Sequence, residues 1–465
     1  MTTTSPPASP PTSAPSVSEP TEPFPFLALP LELREQIYEL YFRPADRLHT
    51  SSELENSGFY GGVYKFDLRL LQVGKQVSAE AQRVWRREVR MVKVGTPWPS
   101  AVNHISSEGL VPIVCADSRA DAFTAHHALI QITAPFHQAG PEHAVILLLA
   151  DLPLFAQTWH YSALSYPMLN DRLATAFTLR DPDMDHIDED TPPPTPLALQ
   201  RAILLPFGCV KGLHALRTTN FAPAVAAELR AAMAVPAPTL HQACDSATAL
   251  LAAGDAALPA DPRAALALYT QAFHAIHIII AGRTRRVLAD PFFHAHITAG
   301  PWAGHTGMTV RVILRLRLVA RVLSAHLALG AWGEAAFWGM RSVRIMGDAM
   351  DSEFEHFLAD LVGGEDVGCV FARAGVAMWK MRDEGGWEKE LRLYEGEARA
   401  GVETLLRGSL KHLRKPGGRE RVRAEVERWG LPRELVRIFD EPVRARSDGS
   451  EAVNFDPTEH PAVWF

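Results

Sequence analysis

Histidine is the residue type with the widest chemical reach in this chain, and there are 19 of them in 465 residues. His274 and His277 stand three apart in "FHAIHIII", a segment with helical periodicity, so the spacing predicts that they share one helix face. His126, His127, His137 and His143 crowd one stretch, and His294, His296 and His305 another. A zinc site needs three or four convergent ligands. His274 and His277 have no nearby carboxylate, the 126–143 group has no cysteine partners, and no HExxH spacing occurs. They read as ordinary core and surface histidines, with no metal. Cys115, Cys209, Cys244 and Cys369 are far apart and form no CxxC pair, which argues against a zinc site or a disulfide framework and fits a reducing compartment. There is no nucleophile-elbow serine, no phosphate-binding P-loop and no dinucleotide fingerprint. The expectation is a protein that is not an enzyme and carries no cofactor.

Charge points the same way. The formal net charge is -7, whereas a nucleic-acid-binding domain is normally basic. The one basic run, "HLRKPGGRERVR" at 412–423, is bordered by acidic residues and reads as a solvated connection between helices. No apolar run approaches the roughly 20 residues that span a bilayer. The Ser/Thr/Pro-rich start lacks the basic and apolar parts of a secretory signal. The expected setting is the cytoplasm, the nucleus or both, with neither nucleic acid nor membrane as partner.

What must position any site is a mainly α chain with a small α+β middle. Residues 1–23 have too few apolar side chains to offset ordering entropy and read as disordered. Residues 24–95 form a small helical unit, and residues 96–221 mix strands and helices. Within that middle region "HAVILLLADLP", "DRLATAFTLRDPD" and "VKGLHALRTTNF" read as strands and "PLALQRAILLPF" as a helix. The acidic, Pro-rich "DPDMDHIDEDTPPPTP" reads as a mobile loop. Residues 222–445 are Ala-rich and helical, with Gly or Pro between most segments. Residues 446–465 read as a loose tail.

The helical region carries a recurring pattern of small and aromatic residues. Ala265, Tyr269 and Ala272 recur as Trp332, Ala335, Gly339 and Ser342, and the two leading alanines are 70 residues apart. This resembles tetratricopeptide repeats, whose period is about 34 residues. "GRTRRVLADPFFHAHITAGPWAGHTG" interrupts it as an insertion. A third copy around Gly385, Trp387 and Tyr394 is shifted, with Glu390 where alanine would stand. Stacked hairpins leave a concave face. Arg311 and Arg315, four apart in "RVILRLRLVAR", are the expected contacts on it, and Arg317 and Arg321 form a second stripe.

The N-terminal unit begins with "LALPLELREQIYELYF" at 27–42. Pro30 opens a helix. Leu33, Ile37 and Leu40 then recur at helical spacing on one face, with Glu32, Arg34, Glu35 and Glu39 on the remaining faces. "DLRLLQVGKQVSAEAQRVWRREV" follows, with Asp67 as a cap and Gly74 as a break. Leu70, Leu71, Val73, Val77, Ala81, Val84 and Trp85 are expected to face inward.

These two segments together resemble the F-box-like domain of fungal proteins. That family's pattern is Leu-Pro-x-Glu-Leu-Arg-x-x-Ile-Tyr, then Leu-Leu-x-Val-x-Lys/Arg-Gln-Ile/Val-x-x-Glu-Ala. Leu29, Pro30, Glu32, Leu33, Arg34, Ile37 and Tyr38 match the first half, and Leu70, Leu71, Val73, Lys75, Gln76, Val77, Glu80 and Ala81 the second. The match spans about 26–90. It departs from the family in the long connection "RPADRLHTSSELENSGFYGGVYKF" between the halves, and in Gly74. The resemblance implies a helical unit that docks on the adaptor Skp1 of a cullin ubiquitin ligase through Leu29, Pro30, Leu33, Ile37, Leu71 and Val77. The rest of the chain would then capture a protein substrate. The alternative is a tetratricopeptide-type scaffold whose N-terminal helices are structural and bind no Skp1.

Overall fold

The computed structural model describes residues 24–182, 195–348, 364–383, 401–413, 415 and 417–441. The Ser/Pro-rich start, nearly all of the acidic loop, the third repeat copy and the C-terminal tail lie outside the described residues. The fold is mainly α with one mixed sheet. The chain divides into two compact units. One comprises residues 1–47 and 66–89, and the other residues 48–65 and 90–465.

The first unit is built on α1 (Leu31–Phe42) and α2 (Lys75–Glu88). Pro30 precedes α1, where a missing N–H costs nothing. Gly74 separates the short 3-10 turn Arg69–Gln72 from α2, and Asp67, expected as a cap, instead accepts the Arg69 N–H on Oδ1 at 2.9 Å in an Asx-type turn just ahead of it. Val77, Ala81 and Val84 of α2 meet Tyr38 and Phe42 of α1 in a small core, and Trp85 stands edge-on to both Phe42 (5.1 Å) and Phe66 (4.9 Å). Val73, expected inside, is 70% exposed.

The second unit starts with β1 (Leu48–His49), which pairs antiparallel with β2 (Val63–Tyr64). Its main sheet has six strands: β3 (Met91–Thr96), β4 (Cys115–Ala116), β5 (Ala128–Thr133), β6 (His143–Leu148), β7 (Ala174–Leu179) and β8 (Ala215–Thr219). Their order is β4-β6-β3-β5-β7-β8. β3 is parallel to β5, with Val92 opposite Ala128, and antiparallel to β6, with Val92 opposite Leu147. β7 is antiparallel to β5 and parallel to β8. One register therefore puts Val92, Val94, Ile130, Val145, Leu147, Phe177 and Leu179 on a single face. That face is covered by α3 (Leu152–Ser165), α4 (Leu197–Leu204) and α5 (Pro223–Ala234), with Phe207 between Phe155 (5.8 Å) and Phe177 (4.9 Å).

Two boundaries read from the sequence change here. Met91–Thr96 is not the end of the first helical unit but an interior strand, because "MVKVGT" is buried on both faces of the sheet. Residues 48–65, inside the expected 24–95 unit, belong to the second: Tyr64 N–H donates to the Ile113 carbonyl (2.8 Å) and Ile113 N–H to that of Gly62 (3.2 Å). Likewise α5, expected to open the helical array, buries Val225 and Leu229 in the core of the sheet layer.

The array itself runs through α6 (Leu240–Ala257), α7 (Pro262–Ala275), α8 (Gly307–Ala328), α9 (Trp332–Asp348), α10 (Gly364–Asp383), α11 (Val402–His412) and α12 (Gly418–Arg428). Thr239 opens α6 with a capping box, and Asp261 caps α7 with Pro262 at its first position. The small residues sit where helices cross. Ala265, Ala272 and Ala335 are fully buried, and a Cβ on Gly339 would lie 2.6 Å from Cβ of Ala374. "HIIIAGRTRRV", expected to continue α7 and then enter an insertion, instead forms a hairpin of β9 (Ile278–Ala281) and β10 (Thr284–Val287). Its two-residue turn uses Gly282 at φ +55°.

The strap of residues 48–65 brings one titratable pair into the second unit. The Tyr64 hydroxyl hydrogen-bonds Asp151, yet burial still pushes the Asp151 carboxyl up to about 6, and its Oδ2 has no partner. A carboxyl raised on folding stabilises the protein below its unfolded value near 4, and that contribution is lost as pH rises through about 6. Asp151→Asn is therefore expected to be more stable than the wild type at neutral pH by on the order of 2 kcal/mol, with the gain vanishing near pH 4. Urea unfolding at the two pH values checks this, and equal effects at both would contradict it.

Candidate functional site

The first unit turns the apolar stripe of α1 outward. Arg34, Tyr38 and Phe42 face inward, at 7%, 0% and 0% exposure, while Leu33, Ile37 and Leu40 stand 45%, 41% and 52% exposed. This orientation has a polar cause. Arg34 makes a two-pronged ion pair with Glu80 of α2: Nε donates to Oε2 at 2.9 Å and Nη2 to Oε1 at 2.7 Å. Tyr38 Oη donates to Glu80 Oε2 (3.0 Å) and Gln76 Nε2 to Oε1 (3.0 Å). Arg34 Nη1 reaches the carbonyls of Leu27 and Leu29, so the approach to α1 is tied into the same lock.

These contacts hold Glu80 ionised. Its carboxyl is pulled down to about 2, chiefly by the Arg34 hydrogen bonds and, beyond them, by those of Gln76 and Tyr38. Burial and the neighbouring Glu80 push the Tyr38 hydroxyl up to about 12. Arg34, Tyr38, Gln76 and Glu80, which carry much of the two-part signature, thus have a structural task. They fix which face of α1 is left outside.

The six residues expected to meet a partner divide accordingly. Pro30, Leu33 and Ile37 are exposed, and Leu29 and Leu71 are half-buried. Val77 is 5% exposed in the core between the two helices, so it is not a docking residue; α2 presents it to α1 through the same turn that presents Glu80. Leu40 is missing from the expected set and belongs to it by position, one turn beyond Ile37. Leu31, Leu68 and Val73 extend the exposed apolar surface of this unit. More than half of the large exposed hydrophobic residues among the described ones lie in this unit, which is the smaller of the two.

The arginines expected on a concave face are placed differently. Arg311 is 3% exposed; its guanidinium is paired with Asp290 and donates to the Leu288 carbonyl at 3.1 Å, above the Phe293 ring. It is therefore a buried structural arginine. Arg315, one turn on, is half-buried, and burial beside Arg341 and Arg311 lowers its pKa to about 10. Arg317 and Arg321 both pair with Asp366 of α10.

The histidines do not assemble. His274 ends α7, but His277 lies beyond it at φ +57°, stacked between Tyr161 (4.3 Å) and Phe292 (5.2 Å). The shared helix face expected for the pair does not exist, because the chain leaves the helix between them. Both border a cleft of about 790 Å³ together with His160, Tyr161 and Cys209. Burial pushes all three imidazoles down, His277 to about 3, and pushes the Cys209 thiol up to about 11. No carboxylate lines the cleft to orient an imidazole, and a protonated thiol is a poor nucleophile. His126 contacts Arg180 at 2.9 Å, while His127 Nδ1 accepts from the Met91 N–H. No group of three or more His, Cys, Asp or Glu among the described residues is arranged to hold a metal.

Comparison with family models, with curated proteins and with solved structures found no match to this chain. No helix among the described residues is long and apolar enough to cross a membrane.

Proposed function

We propose that residues 24–47 and 66–89 form an F-box-like docking module, and that a Skp1-type adaptor seats on the face made by Pro30, Leu33, Ile37 and Leu40. The second unit then presents a protein substrate to the ubiquitin ligase. This reading places the protein in the cytoplasm or nucleus, as an interaction protein and not an enzyme. The observation that carries it is the outward turn of the apolar stripe on α1. A small unit that spends a buried ion pair to keep leucine and isoleucine in water has a use for that surface. The resemblance of the paired segments to the F-box-like pattern supplies the identity of the partner.

The scaffold reading makes the opposite demand of the same residues. If Leu33 and Ile37 were core, charging them would unfold the unit; at their observed exposure it should not. The double variant Leu33→Asp with Ile37→Asp is expected to keep the wild-type melting temperature and to weaken adaptor binding by about 100-fold or more, as removal of two central apolar anchors does. Binding is read by biosensor against a purified Skp1-type adaptor. Failure of the wild-type protein to bind the adaptor, or equal binding by the double variant, would sink the proposal.

A further inference from the structure

The cleft that His274 and His277 border has a volume of about 790 Å³, within the roughly 300–1,000 Å³ of small-molecule sites. It lies inside the second unit, where α3 of the sheet layer faces α6 and the end of α7. Tyr161, Ala243 and His277 are buried and form its floor. Pro153, Pro236 and Pro238 are exposed and stand at its rim with Gln242 and Ser246. Proline holds its backbone at a fixed φ, so this rim is set before anything binds.

The lining has one chemical character. No Asp, Glu, Lys or Arg contributes to it. Burial keeps His160, His274 and His277 neutral at ordinary pH and Cys209 protonated. A charged molecule entering the cleft would give up water with no counter-charge in return. Neutral polar groups are nevertheless on offer. Gln242 spends its side-chain carbonyl on the capping box of α6, which leaves its amide N–H groups as donors. His274 Nε2 and His277 Nδ1 are buried without a hydrogen-bond partner, although buried polar atoms are nearly always paired. Tyr161, by contrast, is satisfied: its hydroxyl accepts from Gln157 and donates to the His274 carbonyl, each at 2.6 Å. Flat proline faces and aromatic rings beside a few neutral donors and acceptors suit a planar ring system.

We propose that this cleft binds an uncharged, planar aromatic or heteroaromatic small molecule, which lies between the proline rim and the floor of Tyr161 and His277 with its polar edge toward the imidazoles. The site belongs to the second unit and does not rest on the adaptor reading.

Titration of the full chain with N-phenyl-1-naphthylamine, a neutral dye that fluoresces when it leaves water, tests it. The dissociation constant is expected on the order of 10 µM. Anilinonaphthalene sulfonate has the same ring skeleton with one negative charge, and it should bind at least about 10-fold more weakly. Ser246→Trp puts an indole into the rim from an exposed position. It should keep the wild-type melting temperature and weaken the neutral dye by about 10-fold or more. Leu33→Asp with Ile37→Asp should bind the neutral dye as the wild type does, which separates the cleft from the exposed face of α1. Hydrogen exchange on the wild-type protein locates the dye without any variant: amides of residues 240–246 and 274–278 should slow on binding, and those of α1 should not. No saturable binding of the neutral dye, equal affinity for the two dyes, an unchanged constant in folded Ser246→Trp, or slowing elsewhere than in these two segments would overturn the proposal.

Discussion

Glu80→Gln is expected to unfold the N-terminal unit while leaving the second unit folded. The carboxylate accepts from Arg34, Tyr38 and Gln76 at once, and an amide cannot replace either the charge or all of the acceptor sites. Removing one member of a buried pair strands the other, and for Glu80 the loss should be roughly 3 kcal/mol. That is a large part of what so small a unit can hold. Hydrogen exchange resolved by segment gives the readout: amides of α1 and α2 should lose protection together, and those of β3, β5 and β6 should keep theirs. Protection of α1 and α2 at the wild-type level would show that the lock contributes little.

The same pair sets a pH limit. Glu80 titrates lower in the folded protein than in the unfolded chain. Its contribution is complete above the unfolded value near 4.5 and is lost as pH falls through about 2. The N-terminal unit should therefore lose stability on the acid side, read as loss of amide protection in α1 and α2 as pH falls.

Tyr269→Ala is the second large expected effect. The ring is fully buried between α6 and α7, and its hydroxyl donates to Asp255 at 2.8 Å. Truncating a buried aromatic residue costs about 3–5 kcal/mol. The ring has a specific counterpart in Gly254, where a Cβ would come within 2.3 Å of Tyr269 Cε1. Glycine within a helix ordinarily costs about 1 kcal/mol relative to alanine. Here that helix preference is outweighed, and Gly254→Leu is expected to destabilise by about 3 kcal/mol through overpacking. The two sites should be strongly non-additive. Leucine at 254 fills space that alanine at 269 vacates, so the double variant should be more stable than the sum of the singles by more than about 1 kcal/mol. Denaturant midpoints of the four proteins complete the cycle, and simple additivity would argue against direct contact.

Much of this was legible in the chain. Pro30, Gly74, Thr239 and Asp261–Pro262 mark helix starts by local chemistry that tertiary packing rarely overrides. β6, β7 and β8 were readable because their alternation or apolar runs end at charge, Gly or Pro. β3 and β5 carry weaker signals. "MVKVGT" follows an arginine-rich helix end without a break, and "ALIQIT" is a short alternation inside a polar stretch. β9 was hidden in an Ala-rich helical context, although three consecutive isoleucines before glycine are a strand signal. The orientation of α1 was not written in its own pattern. Apolar periodicity says which residues share a face but not which face is inside. A buried arginine finding its carboxylate 46 positions away decided that, and the pairing of Arg34 with Glu80 has no local signal.

Residues 48–65 leave the first unit, contribute strands and backbone hydrogen bonds to the second, and return the chain at residue 66. The two units are thus interleaved in the gene and not laid end to end. A truncation that removes residues up to 89 also deletes part of the second unit, so loss of the proposed adaptor binding in such a deletion would not by itself assign it to the helices. By the same token, recombination at one breakpoint cannot move the first unit into another protein intact. A lineage that inherits this arrangement inherits both units together, and point substitutions on the exposed face of α1 are the economical way for it to change what that face binds.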